Sequence, residues 1–163
     1  AIMRGTPLML QLLVVYFGPY YIFGKSLSLE YRFYAVIIGF VLNYAAYFAE
    51  IYRSGIESMP VGQYEASKVL GYNKAQTFVK IILPQVFKKI LPPITNEVIT
   101  LVKDTSLAFA ISYVEMFSVA KKIAAAQTTM MPFVIAGVFY FVFNLLVAFV
   151  MGRLEKHMDY YRA

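Results

Sequence analysis

Cysteine is absent from the 163 residues, and histidine occurs once. The first absence removes disulfides, thiol nucleophiles and cysteine metal sites. The lone His157 sits in a charged tail where nothing nearby completes a ligand set, so it reads as a solvated surface side chain. Charge is also scarce: Asp, Glu, Lys and Arg make up 15% of residues, against about a quarter in soluble domains. What remains is grease. Apolar residues are 60% of the chain and mean hydropathy is +0.63. A soluble fold could not bury that much apolar surface.

Four runs approach the roughly 20 apolar residues that cross a bilayer. They cover about 8–23, 33–51, 90–114 and 132–151. The first is short and carries Gly18-Pro19 near its end, a kink or exit signal. Tyr20, Tyr21, Tyr31, Tyr34, Tyr160 and Tyr161 crowd the run ends, as interfacial aromatics do. Ser26 to Ser28 and Lys121 to Thr129 read as short connections. The chain opens on Ala1 without Met and has no recognisable signal peptide. It reads as a single membrane domain, 1–163, truncated before its first residue and missing an N-terminal helix.

The net charge of +6 flanks the apolar runs and forms no single stripe, which argues against nucleic acid as a partner. One side holds Arg4, Arg53, Lys68, Lys74, Lys80, Lys88, Lys89, Arg153, Lys156 and Arg162; the other holds Lys25, Arg32, Lys121 and Lys122. The positive-inside tendency then places both termini and the long loop, about 52–89, in the cytoplasm.

A structureless loop of that length would be unusual. Pro60 can open a helix, and Gln63, Glu65, Ala66, Lys68 and Leu70 can continue it. Gly71 suits its C-terminal cap. Asn73 can cap a second helix running to Ile82 and ended by Pro84. The expected unit is helix, glycine turn, helix. It is either a handle for a soluble partner or a hairpin resting on lipid headgroups.

Glu65-Ala66-Ser67, Gly71 and Ile81-x-Leu83-Pro84 resemble the EAA loop of ABC importer permeases, with Ser67 where the motif has a second alanine. Three further blocks resemble the polar amino acid uptake branch in order and spacing. They are Arg4 to Pro7, Ala46 to Ile56 and Lys103 to Leu107. The resemblance covers roughly residues 4–117. It implies an all-α polytopic bundle with a cytoplasmic coupling helix, the type I importer permease fold, in a prokaryotic cytoplasmic membrane. It also implies a cytoplasmic ATPase dimer that binds ATP and Mg, a second permease subunit, identical or homologous, and an external solute-binding protein delivering an amino acid. Glu65, Ala66 and Ser67 would meet the ATPase, Gly71 would form the turn, and Leu83-Pro84 would set the angle into the next helix.

Polar residues recur in the third run. Asn96, Glu97, Thr100, Lys103 and Asp104 fall within an arc of about 120° on a helix. Charge at bilayer depth is costly, so this stripe should face a cavity, the bundle interior or a sister subunit. Either it binds or gates a zwitterion, with Lys103 for the carboxylate, or it glues helices together. Asn43 is a further cavity candidate, and Glu50 and Arg53 read as a salt pair one turn apart. Gly137 and Ala148 in the fourth run permit close packing.

Catalytic motifs fail. Gly24-Lys25-Ser26 evokes a phosphate loop, but the required earlier glycine position holds Pro19. No HExxH and no Gly-x-Ser-x-Gly occurs. The chain is therefore expected to carry no ATPase site, cofactor or metal of its own. Two other classes stay open: a membrane anchor that recruits a partner without moving solute, and an intramembrane enzyme, which lacks a convincing nucleophile.

Overall fold

The computed structural model describes residues 2–157. Tyr160, Tyr161 and Arg162 lie outside the described residues. Among the described residues eight α-helices follow one another: α1 (Ile2–Gly5), α2 (Leu8–Phe23), α3 (Leu29–Glu57), α4 (Val61–Val69), α5 (Lys74–Thr77), α6 (Leu83–Asp104), α7 (Met116–Gln127) and α8 (Met131–His157). A π-helical turn, Phe78–Ile82, joins α5 to α6, and a 3₁₀ helix, Thr105–Ile111, continues α6. Among the described residues there is no strand. Helices α3 and α8 are long and apolar enough to cross a membrane, and α2 is a shorter apolar helix.

Helix α2 does not leave at Gly18-Pro19. It runs through Pro19 to Phe23 and ends on Gly24 in the left-handed region, φ 64°. A proline inside a helix strands the carbonyl four residues earlier. Here that carbonyl belongs to Val15, and the Tyr31 hydroxyl of α3 donates to it at 2.8 Å. The carbonyl that Pro19 leaves without an amide is served from α3.

Two glycines set how closely the helices approach. A methyl group on Gly39 of α3 would meet Leu12 Cδ2 of α2 at 2.6 Å. One on Gly55 would strike Ile90 Cγ2 of α6, with Val86 close behind. Small residues at crossings allow backbones to pack tightly. Around them lie two cores. One gathers Leu8, Leu12, Tyr16, Ala35, Tyr44 and Ile111. The other, at the opposite end of α3, gathers Met59, Ile82, Val86 and Ile90.

Three sequence expectations need correction. The third run is not one helix over 90–114: α6 stops at Asp104, and the next seven residues wind as 3₁₀. Thr105 and Ser106 donate their hydroxyls to Val102 and Lys103 carbonyls at 2.7 and 2.9 Å, competition that disturbs an α ladder. Lys121 to Thr129 is no mere connection, since most of it belongs to α7. Glu115 caps that helix, accepting from the Phe117 and Ser118 amides at 2.6 Å. Finally, Pro84 does not end a helix; it stands in the first turn of α6.

Candidate coupling loop and polar helix face

Helix α4 begins after Pro60 and closes on Gly71, whose φ of 77° only glycine adopts without strain. Asn73 opens α5 through a capping box with Gln76: Oδ1 accepts the Gln76 amide at 2.9 Å and Gln76 Oε1 accepts the Asn73 amide at 3.0 Å. The helix–glycine–helix unit is thus present as the sequence suggests.

Glu65 and Ala66 are exposed. So are Val61, Val69 and Leu70, at 70%, 87% and 72%. This is an apolar rim around one carboxylate, on a short helix with its outer face free. Ser67 points the other way. It is 1% exposed, its hydroxyl donates to the Tyr64 carbonyl at 2.8 Å, and it accepts from Thr77 Oγ1 at 3.0 Å. Ser67 therefore ties α4 to α5 and does not face a partner surface. Gly71 is exposed, while Leu83 and Pro84 are half-buried at the base of α6.

Further contacts hold the loop to the bundle. Tyr64 packs on the Ile82 core. Gln85 Nε2 donates to Gln63 Oε1 at 3.3 Å. Lys89 Nζ donates to the Ser58 carbonyl at 3.0 Å, a cation at a helix C-terminus. The π turn closes with the Leu83 amide on the Phe78 carbonyl. That wider turn relieves the clash that Pro84 would make with the Lys80 carbonyl in an α ladder. The chain therefore stays helical from Lys74 to Asp104.

The polar stripe of α6 divides. Asn96 and Lys103 are exposed; Thr100 donates to the Asn96 carbonyl at 2.9 Å and is satisfied within its own helix. Asp104 turns toward α3, and Glu97, seven residues earlier, lies on the same face of α6. Tyr44 donates its hydroxyl to Asp104 Oδ2 at 2.8 Å, and Glu97 and Tyr47 lie within electrostatic range of that hydroxyl. The five residues do not converge on one point.

Asn43 is buried and donates to Gln11 Oε1 at 3.1 Å. Gln11 Nε2 in turn donates to the Met3 and Thr6 carbonyls at 2.8 and 3.0 Å. Asn43 thus fastens α2 and the α1 turn to α3. Glu50 pairs with Arg53 at 2.6 Å, as its spacing suggests, and with Arg4 at 3.1 Å, which spacing does not reveal. An apolar groove of about 340 Å³ separates α7 from α8, lined by Met116, Ile123, Ile135 and Phe139 among others.

The family of binding-protein-dependent transport system inner membrane components matches residues 1–160. The chain belongs to this family. The permease is 36% identical over 159 residues to the arginine transport system permease protein ArtQ of Bacillus subtilis (strain 168), covering 97% of this chain and 71% of the relative. It is 36% identical over 163 residues to the L-cystine transport system permease protein TcyB of the same organism, covering 98% and 68%. The crystal structure of an amino acid ABC transporter with histidines superimposes with a TM-score of 0.84 at 32% identity, over 96% of this chain and 72% of that one. The protein is an ABC importer permease of the polar amino acid group, and its fold is the type I importer permease fold.

Proposed function

We propose that this permease carries a polar amino acid across the prokaryotic cytoplasmic membrane and is driven by a separate ATPase dimer seated on α4. One observation carries the reading. An exposed helix with a single carboxylate and an apolar rim is pinned by Ser67 and Thr77 to a helical path that continues to Asp104. A push on α4 therefore reaches the polar face of α6 without passing through slack chain. In this reading Glu65 and Ala66 meet the ATPase, Gly71 holds the turn, and Leu83-Pro84 fix the angle of α6. Ser67 serves from inside. The Tyr52–Lys89 loop and both termini are cytoplasmic, and the α2–α3 and α7–α8 connections are external.

The partners are the ATPase dimer, which binds ATP and Mg, a second permease subunit, an external solute-binding protein and the bilayer. Asn96, Thr100 and Lys103 lie on the open edge of α6 and supply a cation and two hydrogen-bonding groups for a zwitterion. Glu97 and Asp104 form its gate with Tyr44. Relatives named for arginine and cystine support an amino acid as cargo.

Vesicles containing the permease, its ATPase and its binding protein test this reading. ATP-dependent entry of a labelled amino acid, competed by unlabelled ones, is the expected result. ATP hydrolysis without entry would instead favour an anchor that recruits the ATPase and moves nothing.

A further inference from the structure

The 3₁₀ segment Thr105–Ile111 is held at both ends by side chains of α3. At its foot Tyr44 donates to Asp104 Oδ2 at 2.8 Å. At its head Arg32 Nη1 donates to the Ser112 carbonyl at 2.9 Å. The Arg32 guanidinium also lies 5.7 Å from the centre of the Tyr16 ring, with Nη2 3.4 Å from the Tyr16 hydroxyl. Its Nε is buried without a partner. Ser112 itself holds a φ of 57°, uncommon for a residue with a side chain.

The lengths explain the 3₁₀ winding. Tyr44 and Arg32 are twelve residues apart on an α-helix, a rise of about 18 Å. Asp104 and Ser112 are eight residues apart. At about 2.0 Å per residue the 3₁₀ path spans some 16 Å, whereas an α-helix of the same eight steps would span about 12 Å. The stretched winding matches the rise between the two anchors more nearly, and so favours both contacts together. Runs of 3₁₀ beyond three or four residues are uncommon, and this one has seven. It is held long by its ends. Between them Ala108 and Ile111 are buried, Ile111 against the Leu12 and Tyr16 core.

We propose that Thr105–Ser112 is a two-state external gate and that Arg32 is the positioning residue that latches it shut. Release of Arg32 lets the segment rewind as α-helix and shorten by about 4 Å, which draws the Ser112 turn away from α2 and α3. Which end is external rests on the orientation given under Proposed function; the latch itself does not.

These 163 residues contain no cysteine, so Ala110→Cys places one thiol in the segment. The assembled transporter in vesicles, with ATPase and binding protein, is exposed to a membrane-impermeant thiol reagent from outside. Hydrogen bonds to charged groups are strong enough that their loss shifts such an equilibrium by about tenfold or more. Arg32→Gln should raise the nucleotide-free labelling rate by about that factor and erase its dependence on nucleotide. Arg32→Lys, which keeps the charge but not the fork, should restore part of the slow rate. An unchanged rate in Arg32→Gln overturns the latch. Should that variant fail to assemble, Tyr44→Phe releases the foot and decides in its place: faster labelling supports the gate, an unchanged rate sinks it. Absence of ATP-driven uptake in the unmodified transporter would count against the transport reading, while the labelling comparison would still judge Arg32.

Discussion

Thr77 Oγ1 donates to Ser67 Oγ at 3.0 Å across the turn that joins α4 and α5. Both residues are buried. By the resemblance Ser67 would meet the ATPase, where a small side chain lets a partner come close. The structure gives the small residue a different reason: it faces inward, where a larger side chain would push α4 off its base.

The pair can be tested by a double-mutant cycle. Thr77→Val leaves Ser67 with one partner, and Ser67→Ala leaves the Thr77 hydroxyl buried with no acceptor at that distance. Each should cost about 1 kcal/mol. The two together should cost less than their sum, because removing both partners leaves nothing unsatisfied. Thermal unfolding of the purified complex reads the stability. The ratio of amino acid taken up to ATP hydrolysed reads the lever, and it should fall in Thr77→Val.

Glu65 and Gly71 separate docking from geometry. Glu65 is exposed, so Glu65→Ala should insert and assemble normally yet weaken capture of the ATPase. A crosslinking thiol at Ala66 would show that loss. Gly71→Ala forces a side chain into φ 77° at a cost of about 1–2 kcal/mol. Its expected signature is ATP hydrolysis with reduced uptake. Normal uptake in both variants would remove α4 as the lever.

Much of this fold is legible in the sequence, and the exceptions have physical causes. Leu8–Phe23 is read at its observed helical bounds because its apolar residues run on past Gln11 and Gly18-Pro19 to Gly24. The Asn73 cap and the Gly71 turn are local chemistry, visible in a few residues. Helix α7 is hidden because Lys121-Lys122 breaks the hydropathy of a stretch whose Met116, Ala120, Ile123 and Gln127 still keep helical spacing. The pairs Gln11–Asn43, Tyr31–Val15 and Tyr44–Asp104 join residues 32, 16 and 60 positions apart. Only the packing of α2, α3 and α6 brings them together. Asn43 therefore reads from sequence as a cavity residue, and Gln11, its partner, escapes notice.

Of the glycines, Gly55 leaves the least room, since a methyl group there meets Ile90 Cγ2. Gly55→Ala should lower stability by about 1–3 kcal/mol through overpacking. Ile90→Ala removes the opposing methyl group. On its own it should destabilise by opening a cavity, but in the Gly55→Ala background it should recover part of the loss. Melting temperatures of the four proteins in one detergent check this. Equal additive losses would mean that α3 and α6 shift apart freely at that point.

Tyr31→Phe isolates the repair of Pro19. The Val15 carbonyl loses the hydroxyl that serves it at 2.8 Å, and Pro19 offers no amide in exchange. The expected loss is about 1 kcal/mol. Pro19→Ala restores an amide four residues on, so the carbonyl can rejoin the α2 ladder and the hydroxyl becomes dispensable. The substitution Tyr31→Phe should therefore be costly with Pro19 present and nearly silent with alanine there. Thermal unfolding of the four combinations measures that coupling directly. Equal costs in the two backgrounds would show that the Tyr31 hydroxyl stabilises the α2–α3 pair whether or not a proline strands the Val15 carbonyl, since phenylalanine keeps the ring.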